Sequence, residues 1–298
     1  MPRRFEEKWV AHTDYERVVR EAWELPVRNG RPIFKLFEKI KQCQHALLDW
    51  SRNILGNSKT KLNEKKAALK ELSRENKVNH MQRIRTLKLE INTILHQDEL
   101  FWQQRSRSIW LPIGDKNTKF FHQWRRKNHI SSIQDVDGSW KTSEDQITQV
   151  AENYFQDLFT LVNPTDMGSV LDVVDKRFTS EMNDSLLQWY ITEEIRQTLF
   201  QMHPSKSPGP DGMSPFFFQK FWNIMGDDVI EAILLVLNSK HMLHKMNFTH
   251  IVLIPKKNDP LMMANYRPIS LTNIVSRILS KVMENRLKLV LPNVISKA

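Results

Sequence analysis

Two lysines and an arginine near the end of the sequence have the types and spacing of an anion-binding group. Lys256 and Lys257 follow an apolar run, residues 250–254, that ends at Pro255, and Arg267 stands at the head of the next predicted strand. A loop joining two adjacent strands would bring all three within reach of one anion. Lysine offers a point charge and arginine a planar fork, a pair that suits a triphosphate. Taken alone, the pattern favours the alternative of solvated loop charges.

A dense turn, KSPGPDG at residues 206–212, is the second feature of interest. Its prolines fix φ, its glycines permit turns that other residues avoid, and Asp211 can close an Asx turn. The spacing is not that of a phosphate-binding P-loop. The sequence therefore predicts a rigid turn that positions Lys206 and packs the following Phe216-Phe217-Phe218 into a core.

Residues 105–128 interleave cations with aromatic rings, a composition that suits single-stranded nucleic acid, since phosphates attract the cations and bases stack on the rings. The alternative, that the rings are core and only the charges are exposed, stays open. The candidate cations are Arg105, Arg107, Lys116, Lys119, Arg125, Arg126 and Lys127.

The sequence predicts no catalytic residues and no metal ligands. Asp227 and Asp228 could in principle hold two divalent metals, but we expect them to open a helix from Val229, where acidic residues favour the N-terminal dipole. The histidines are scattered without zinc spacing, and the single cysteine, Cys43, cannot form an internal disulfide.

The elements that must position these residues are mostly helical. Apolar stripes predict a helix through Phe34, Phe37, Ile40, Leu47 and Trp50, ending near Gly56. A second helix, capped by Ser58, has its stripe through Met81, Ile84, Leu87, Ile91, Ile94 and Phe101. Two such helices joined by a tight turn would form an antiparallel hairpin. Later helices are predicted from Asp145 to Phe159, from Ile191 to Met202 with Thr192 as cap, from Phe216, from Asp227 to Ser239, and through Ile274, Ile278, Val282 and Leu289.

Strands are predicted in two places. Asp137-Gly138 is a hairpin turn between residues 131–133 and 140–142, and the run 250–254 could pair with residues 266–271, where Pro268 restricts the second strand to an edge or a bulge. Residues 160–182 are acidic and weakly patterned, as expected for a surface connection. The predicted fold class is α+β, predominantly α, with a long helical hairpin before a small sheet.

Charge is unevenly distributed over the 298 residues, whose formal net charge is +10. Residues 1–130 contain 28 Lys and Arg against 15 Asp and Glu, residues 131–240 contain 7 against 17, and residues 241–298 contain 9 against 2. This basic–acidic–basic order favours a polyanionic partner for the basic parts, although long helices also carry such charge simply for solvation. The sequence shows no signal peptide and no membrane span, so we expect an intracellular protein without a membrane partner.

Four blocks resemble the reverse transcriptases of LINE-type (non-LTR) retrotransposons, especially those abundant in plants. The blocks occur in the family's order, and FEEKWVAHTDYERVVREAW at the start also looks like the end of the family's endonuclease domain. The four strings are RSRSIWLPIGDKNTKFFHQWRRKNHI, KSPGPDGMSPFFFQKFW, FTHIVLIPKKNDP and NYRPISLTNIVSRILSKVMENRLK.

The resemblance implies a domain order. Residues 1–32 would be a remnant of the endonuclease end, 33–110 a helical hairpin linker, 111–190 a connecting region, and 191–298 the fingers of the polymerase, cut before the palm. It also implies that Lys256, Lys257 and Arg267 contact the incoming triphosphate and the template, and that Lys206 and Asp211 belong to the turn before the fingers. The expected partners are RNA and DNA, including the element's own RNA in the complete family protein, and the nucleus is a possible compartment.

The family's activity depends on palm aspartates that hold two Mg²⁺ ions, and no YADD-like box occurs in the 298 residues. We therefore expect no cofactor in this chain and no polymerase activity from it alone. Two alternatives stay open: a non-enzymatic nucleic-acid-binding module, and a decayed retroelement remnant without selected function.

Overall fold

The computed structural model describes residues 4–75, 80–106, 129–161, 177–239 and 244–295, together with residues 168 and 172. Within these ranges the chain is mostly helical and contains two small antiparallel sheets, which confirms the predicted α+β, predominantly α, class. The helices are α1 (Tyr15–Glu24), α2 (Pro32–Trp50), α3 (Ser58–Glu75), α4 (Met81–Ser106), α5 (Glu144–Phe159), α6 (Ser180–Leu187), α7 (Thr192–Gln201), α8 (Pro215–Lys220), α9 (Trp222–Ser239) and α10 (Ile274–Val294). The strands are β1 (Ile133–Gln134), β2 (Trp140–Lys141), β3 (Thr249–Pro255) and β4 (Tyr266–Thr272).

Helix α2 is the centre of the N-terminal half. It begins with Pro32, whose fixed φ suits a first helical turn. The predicted stripe is confirmed at Ile40, Leu47 and Trp50 but is wrong at Phe34, which is 43% exposed, because Ile33 and Leu36 take the buried positions in the first turns. The side chains on that face are Ile33, Leu36, Ile40, Cys43, Leu47 and Trp50.

The helical hairpin exists, but its partners differ from those predicted. Helix α2 packs against α1 and α9, while α3 and α4 pack against each other. Lys65 Nζ lies 2.6 Å from Glu90 Oε2 across the two helices. The short connection between α3 and α4 makes them antiparallel neighbours. Met81, expected on the apolar face of α4, is 57% exposed, whereas Leu87 and Ile91 are buried.

One large hydrophobic core joins the first two helices to helices from the C-terminal half. Val19 of α1 and Leu36 of α2 are fully buried in the same cluster as Phe217, Ile233 and Ile278. The predicted stripe of α10 is wrong at Leu289, which is 73% exposed, because Val290 takes the buried position. Helices from the two halves of the sequence therefore pack around the same core.

Arg286 fastens α10 to the start of α7. Its Nε and Nη2 donate to the two carboxylate oxygens of Glu194 at 2.7 and 2.8 Å, and its guanidinium lies 3.6 Å from the centre of the Tyr190 ring. Glu194 also accepts the Ile191 N–H at 3.0 Å. Helix α7 therefore begins after Ile191, and the expected capping role of Thr192 is wrong.

A second, smaller core lies beneath the two sheets. It contains Ile133 of β1, Val150 and Phe155 of α5, Met263 and Tyr266. Helix α5 matches its predicted range and is capped by the Ser143 hydroxyl, which accepts the Gln146 N–H. This core places the β1–β2 hairpin beside the connection between β3 and β4.

Both predicted strand pairs are present. Ile133 pairs with Lys141 around a turn in which Gly138 has φ of 81°, a conformation that glycine adopts without strain. Strand β3 pairs antiparallel with β4, and Leu253 stands opposite Pro268. Because this sheet has two strands, Pro268 lies on an edge, as its missing N–H requires.

Candidate nucleic-acid interface

The turn at residues 206–212 packs directly on the junction between β4 and α10. A Cβ added to Gly209 would lie 2.7 Å from the Asn273 nitrogen and closer still to the carbonyl group of Thr272. Ordinary contacts at such an atom are 3.4–4 Å, so a residue with a side chain does not fit here. Gly212 has φ of 69°, in the left-handed region. The glycines of this turn therefore serve close packing and chain reversal.

Asp211 holds the turn to the first residues of α10. Its Oδ2 accepts the Ile274 N–H at 2.8 Å, and its Oδ1 accepts the Met213 N–H at 3.3 Å. Burial raises the pKa of Asp211 to about 6, although both N–H groups and the nearby Arg277 favour the charged form. The carboxylate thus does the structural work of an Asx turn and of a helix N-terminal partner together.

The same junction is closed from the other side by α2 and the N-terminal segment. Gln44 Nε2 donates to the Asp211 carbonyl oxygen at 3.1 Å, and the Phe5 N–H donates to the Gly212 carbonyl oxygen at 2.9 Å. At the buried start of α10, Asn273 Oδ1 accepts the Ser276 N–H at 2.9 Å. The turn is therefore held by elements that lie far from it in the sequence.

Lys256 and Arg267 lie on the same face of the β3–β4 sheet. Arg267 pairs directly with Ile254, and the Lys256 N–H continues the ladder by donating to the Asn265 carbonyl oxygen at 2.8 Å. Residues two apart on a strand point to the same side, so Lys256 follows Ile254 on the face of Arg267. Both side chains are exposed, and Lys256 Nζ donates to the Ala264 carbonyl oxygen at 2.9 Å.

Lys257 diverges from these two cations. It lines a cleft of about 640 Å³ between the β3–β4 connection and residues 129–132, together with His129, Asn258, Tyr266 and Trp140. Trp140 is 53% exposed, and the hydroxyl-bearing Ser131 and Ser132 line the same cleft. The three predicted cations therefore lie at the end of the sheet where β3 and β4 connect, and Lys257 is the one of the three that lines the cleft.

The cleft is formed by a contact that no local pattern indicates. The Gln134 N–H donates to the Leu261 carbonyl oxygen at 2.8 Å, which attaches β1 to the β3–β4 connection. At the tip of that connection, Asp259 has φ of 51°, a conformation that Asp tolerates better than most residues with a side chain. Sequence reasoning identified Trp140 only as a strand residue and passed over His129 and Asn258. An aromatic residue two positions after the Asp137-Gly138 turn was the available signal for Trp140.

The other candidate cations differ in what the structure describes. Lys206 is exposed on the turn. Arg105 lies in the last turn of α4, but its side chain is outside the described part of the structure, and so are the whole residues Arg107, Lys116, Lys119, Arg125, Arg126 and Lys127.

The aspartate pair at 227–228 lies inside α9, not at its start as predicted, because the helix begins at Trp222. Asp228 Oδ2 accepts from Lys39 Nζ and from Trp23 Nε1, each at 2.7 Å, so this carboxylate joins α9 to α1 and α2. Across the described ranges, no group of three or more His, Cys, Asp or Glu side chains could hold a metal ion. Asp227 and Asp228, as the structure places them, therefore do not form a two-metal centre.

Part of the chain is similar in sequence to a known transposon protein. No family model matches the chain. The chain is similar to the Transposon TX1 uncharacterized 149 kDa protein of Xenopus laevis, with 30% identity over 198 residues, which is 64% of this chain. The matched part spans only 15% of that protein's length.

Within the described ranges, no helix is both long and apolar enough to cross a membrane.

Proposed function

We propose that this chain is a segment of a retrotransposon protein whose last third forms the fingers of an RNA-directed DNA polymerase. In this proposal the fingers bind a template strand and the triphosphate of an incoming nucleotide. The similarity to a transposon protein supports the retroelement origin. The reverse-transcriptase assignment draws its support from the quoted sequence blocks and from how those blocks fold together.

The observation that carries the proposal is the assembly of three separate blocks into one unit. The turn at 206–212 is joined to the start of α10 by Asp211 and Ile274, which are 63 residues apart in sequence. That start directly follows β4, which pairs with β3 over its full length. The blocks therefore occur in the family's order and also fold together, which supports a common function for them.

The chemistry of the exposed residues agrees with a nucleic-acid partner. Arg267 presents a guanidinium fork that can hold two phosphate oxygens, and Lys256 adds a point charge on the same face. On the other side, the cleft combines Lys257 with the half-exposed ring of Trp140. Cations beside an exposed aromatic ring suit a nucleotide, because the phosphate and the base are recognised separately.

The proposal includes no catalysis by this chain alone. Phosphoryl transfer of this type needs carboxylates that hold metal ions around the reacting phosphate. Asp228 is already engaged by Lys39 and Trp23 inside a helix. The fingers would therefore supply binding, with the metal-holding residues contributed from elsewhere.

The experiment is a binding titration with a labelled RNA–DNA template–primer, followed by fluorescence anisotropy. We expect the triple variant Lys256→Ala, Lys257→Ala, Arg267→Ala to bind about 10-fold more weakly, with the salt dependence of the affinity reduced by about two to three charges.

The matched control removes three exposed cations elsewhere, through Arg28→Ala, Lys41→Ala and Lys220→Ala. Equal weakening by both variants would mean that only net charge matters and would overturn the assignment to the β3–β4 tip. A primer-extension assay with Mg²⁺ should give no product, and robust extension by the wild-type chain would contradict the inactivity.

A further inference from the structure

The hairpin of α3 and α4 carries its exposed charge in a segregated pattern. Helix residues advance by about 100° each, so Lys59, Lys66 and Lys70 fall within about 40° of one another. Arg74 continues this row at the far end of α3, and all four side chains are exposed. The three lysines lie roughly a quarter turn from the half-buried positions 62, 65 and 69 that face α4, and Arg74 lies about 60° further toward the outer face.

The acidic residues of α3 lie on the opposite flank. By the same arithmetic, Glu64 and Glu71 fall on the other side of the face that contacts α4. Both are exposed. A helix that only needed solvation would mix the two signs, and i, i+4 pairs of opposite charge would stabilise it. The separation therefore costs α3 local stability and leaves one flank uniformly positive.

Helix α4 extends the same positive side. In an antiparallel pair of helices, positions that follow the contact face by the same rotation about each helix axis lie on the same side of the hairpin. Neighbouring e positions of antiparallel coiled coils are related in this way. This rule sets Lys88 beside the lysine row of α3 and Arg85 about 60° further toward the outer face of α4, and both side chains are exposed. Glu99 is an acidic residue on the same side of α4, but it lies at the base of the hairpin, about 16 Å along the helix from Lys88.

These six cations make no salt bridge with any described residue. The hairpin's own ion pair uses Lys65 and Glu90, at 2.6 Å, and Lys61 Nζ instead donates to the Ile54 carbonyl oxygen at 3.3 Å. The six cations without a salt bridge to a described residue are here named the basic flank; they are Lys59, Lys66, Lys70, Arg74, Arg85 and Lys88.

We propose that the basic flank binds the phosphate backbone of a nucleic-acid duplex. From Lys59 to Arg74 the row is about 22 Å long, which equals the length of duplex axis that holds about six phosphates of each strand. Lys88 and Arg85 add positive charge beside this row on the second helix. The described aromatic side chains of the hairpin, Phe101 and Trp102, are half-buried near its base and offer no ring to stack on bases.

The absence of rings on this flank favours a duplex over a single strand, and it makes the binding independent of base sequence. An anionic membrane is the other polyanion to consider. Membrane-bound helices insert a broad apolar face beside their cations, whereas the basic flank borders only isolated apolar side chains such as Met81. The inference rests on the proposed function only in that both partners are nucleic acid, because it uses different residues on a different element.

The experiment measures binding of the full chain to a 25-base-pair DNA duplex and to an RNA–DNA duplex at several salt concentrations. For the variant Lys66→Gln, Lys70→Gln, Lys88→Gln, we expect at least 10-fold weaker binding and a salt slope smaller by about 2.7. Glu64→Gln, Glu71→Gln is the matched control on the same hairpin, and it should bind as tightly as the wild type or more tightly. Circular dichroism at 222 nm should be the same for all three proteins.

An unchanged affinity and slope in the lysine variant would overturn the inference. So would binding to phosphatidylserine vesicles that the lysine variant loses while its duplex binding stays intact. The variant of Lys256, Lys257 and Arg267 separates the two proposals. If it binds template–primer normally while the lysine variant does not, the fingers assignment fails and the basic flank stands.

Discussion

The substitution Gly209→Ala tests how firmly the turn at 206–212 is seated on the start of α10. The new Cβ would lie 2.7 Å from the Asn273 nitrogen and closer to the carbonyl group of Thr272, where ordinary contacts are 3.4–4 Å. These neighbours are backbone atoms between β4 and α10, and they cannot rotate away as a side chain can. The turn must instead move outward by nearly 1 Å or more.

Such a shift would break the contacts that the turn makes. The Asp211 bond to the Ile274 N–H, now 2.8 Å long, is a bond to a charged acceptor, worth about 1.5–3 kcal/mol. Overpacking in a close-packed region adds about 1–3 kcal/mol. We therefore expect Gly209→Ala to lower the free energy of unfolding by about 3 kcal/mol or more, measured by urea denaturation.

Gly30→Ala is the matched control. Its added Cβ would meet only the Phe34 Cβ at 3.9 Å, and Gly30 is not among the glycines with positive φ. This change should be neutral or stabilise the fold by up to about 1 kcal/mol, because alanine has a less flexible unfolded state. If the two substitutions had equal effects, the close packing of the turn against β4 and α10 would be refuted.

Two further predictions concern stability. Arg286→Lys should lower the free energy of unfolding by about 2 kcal/mol, because an ammonium cannot reproduce the two-point contact with Glu194. Arg196→Lys is the control and should change the free energy of unfolding little, because Arg196 and Glu193 form an exposed pair at 3.8 Å. Similar losses in both variants would contradict the reasoning. Since the folded pKa of Asp211 is raised to about 6, the folded state holds more protons than the unfolded chain between about pH 4 and pH 6. The free energy of unfolding of the wild type, minus that of Asp211→Asn, should therefore fall as pH rises through this window. Urea unfolding of both proteins from pH 4.5 to 7.5 measures this difference, and a value that stayed constant or rose with pH would refute the prediction.

The sequence predicted those parts of the fold that depend on local patterns. The pairing of β3 with β4, the Asp137-Gly138 turn and helix α5 follow from alternation, turn chemistry and capping over a few residues. Helix partners could not be predicted in this way. An apolar stripe on α2 fits any complementary face, and packing against α1 and α9 buries more of it than α3 could, since α3 is largely charged.

The candidate site was predictable only in part. Alternation and a loop between two strands were enough to expect Lys256 and Arg267 near each other. The divergence of Lys257 depends on the bond from Gln134 to Leu261, which joins residues more than a hundred positions apart and creates the cleft beside Trp140. Likewise, the pair at 227–228 was predicted to start a helix because the aromatic residues before it, predicted as a separate helix from Phe216, gave no sign that α9 begins at Trp222.

The central claim is that nucleic acid lies against the tip of the β3–β4 sheet. The most direct measurement is photocrosslinking of the full chain to a template–primer that carries 4-thiouridine in the template strand, with crosslinked peptides identified by mass spectrometry. We predict crosslinks within residues 249–272 and at Trp140, and weaker crosslinks there in the variant that lacks Lys256, Lys257 and Arg267. Crosslinks confined to the acidic surface around α6 and α7, with none at the β3–β4 tip, would contradict the account.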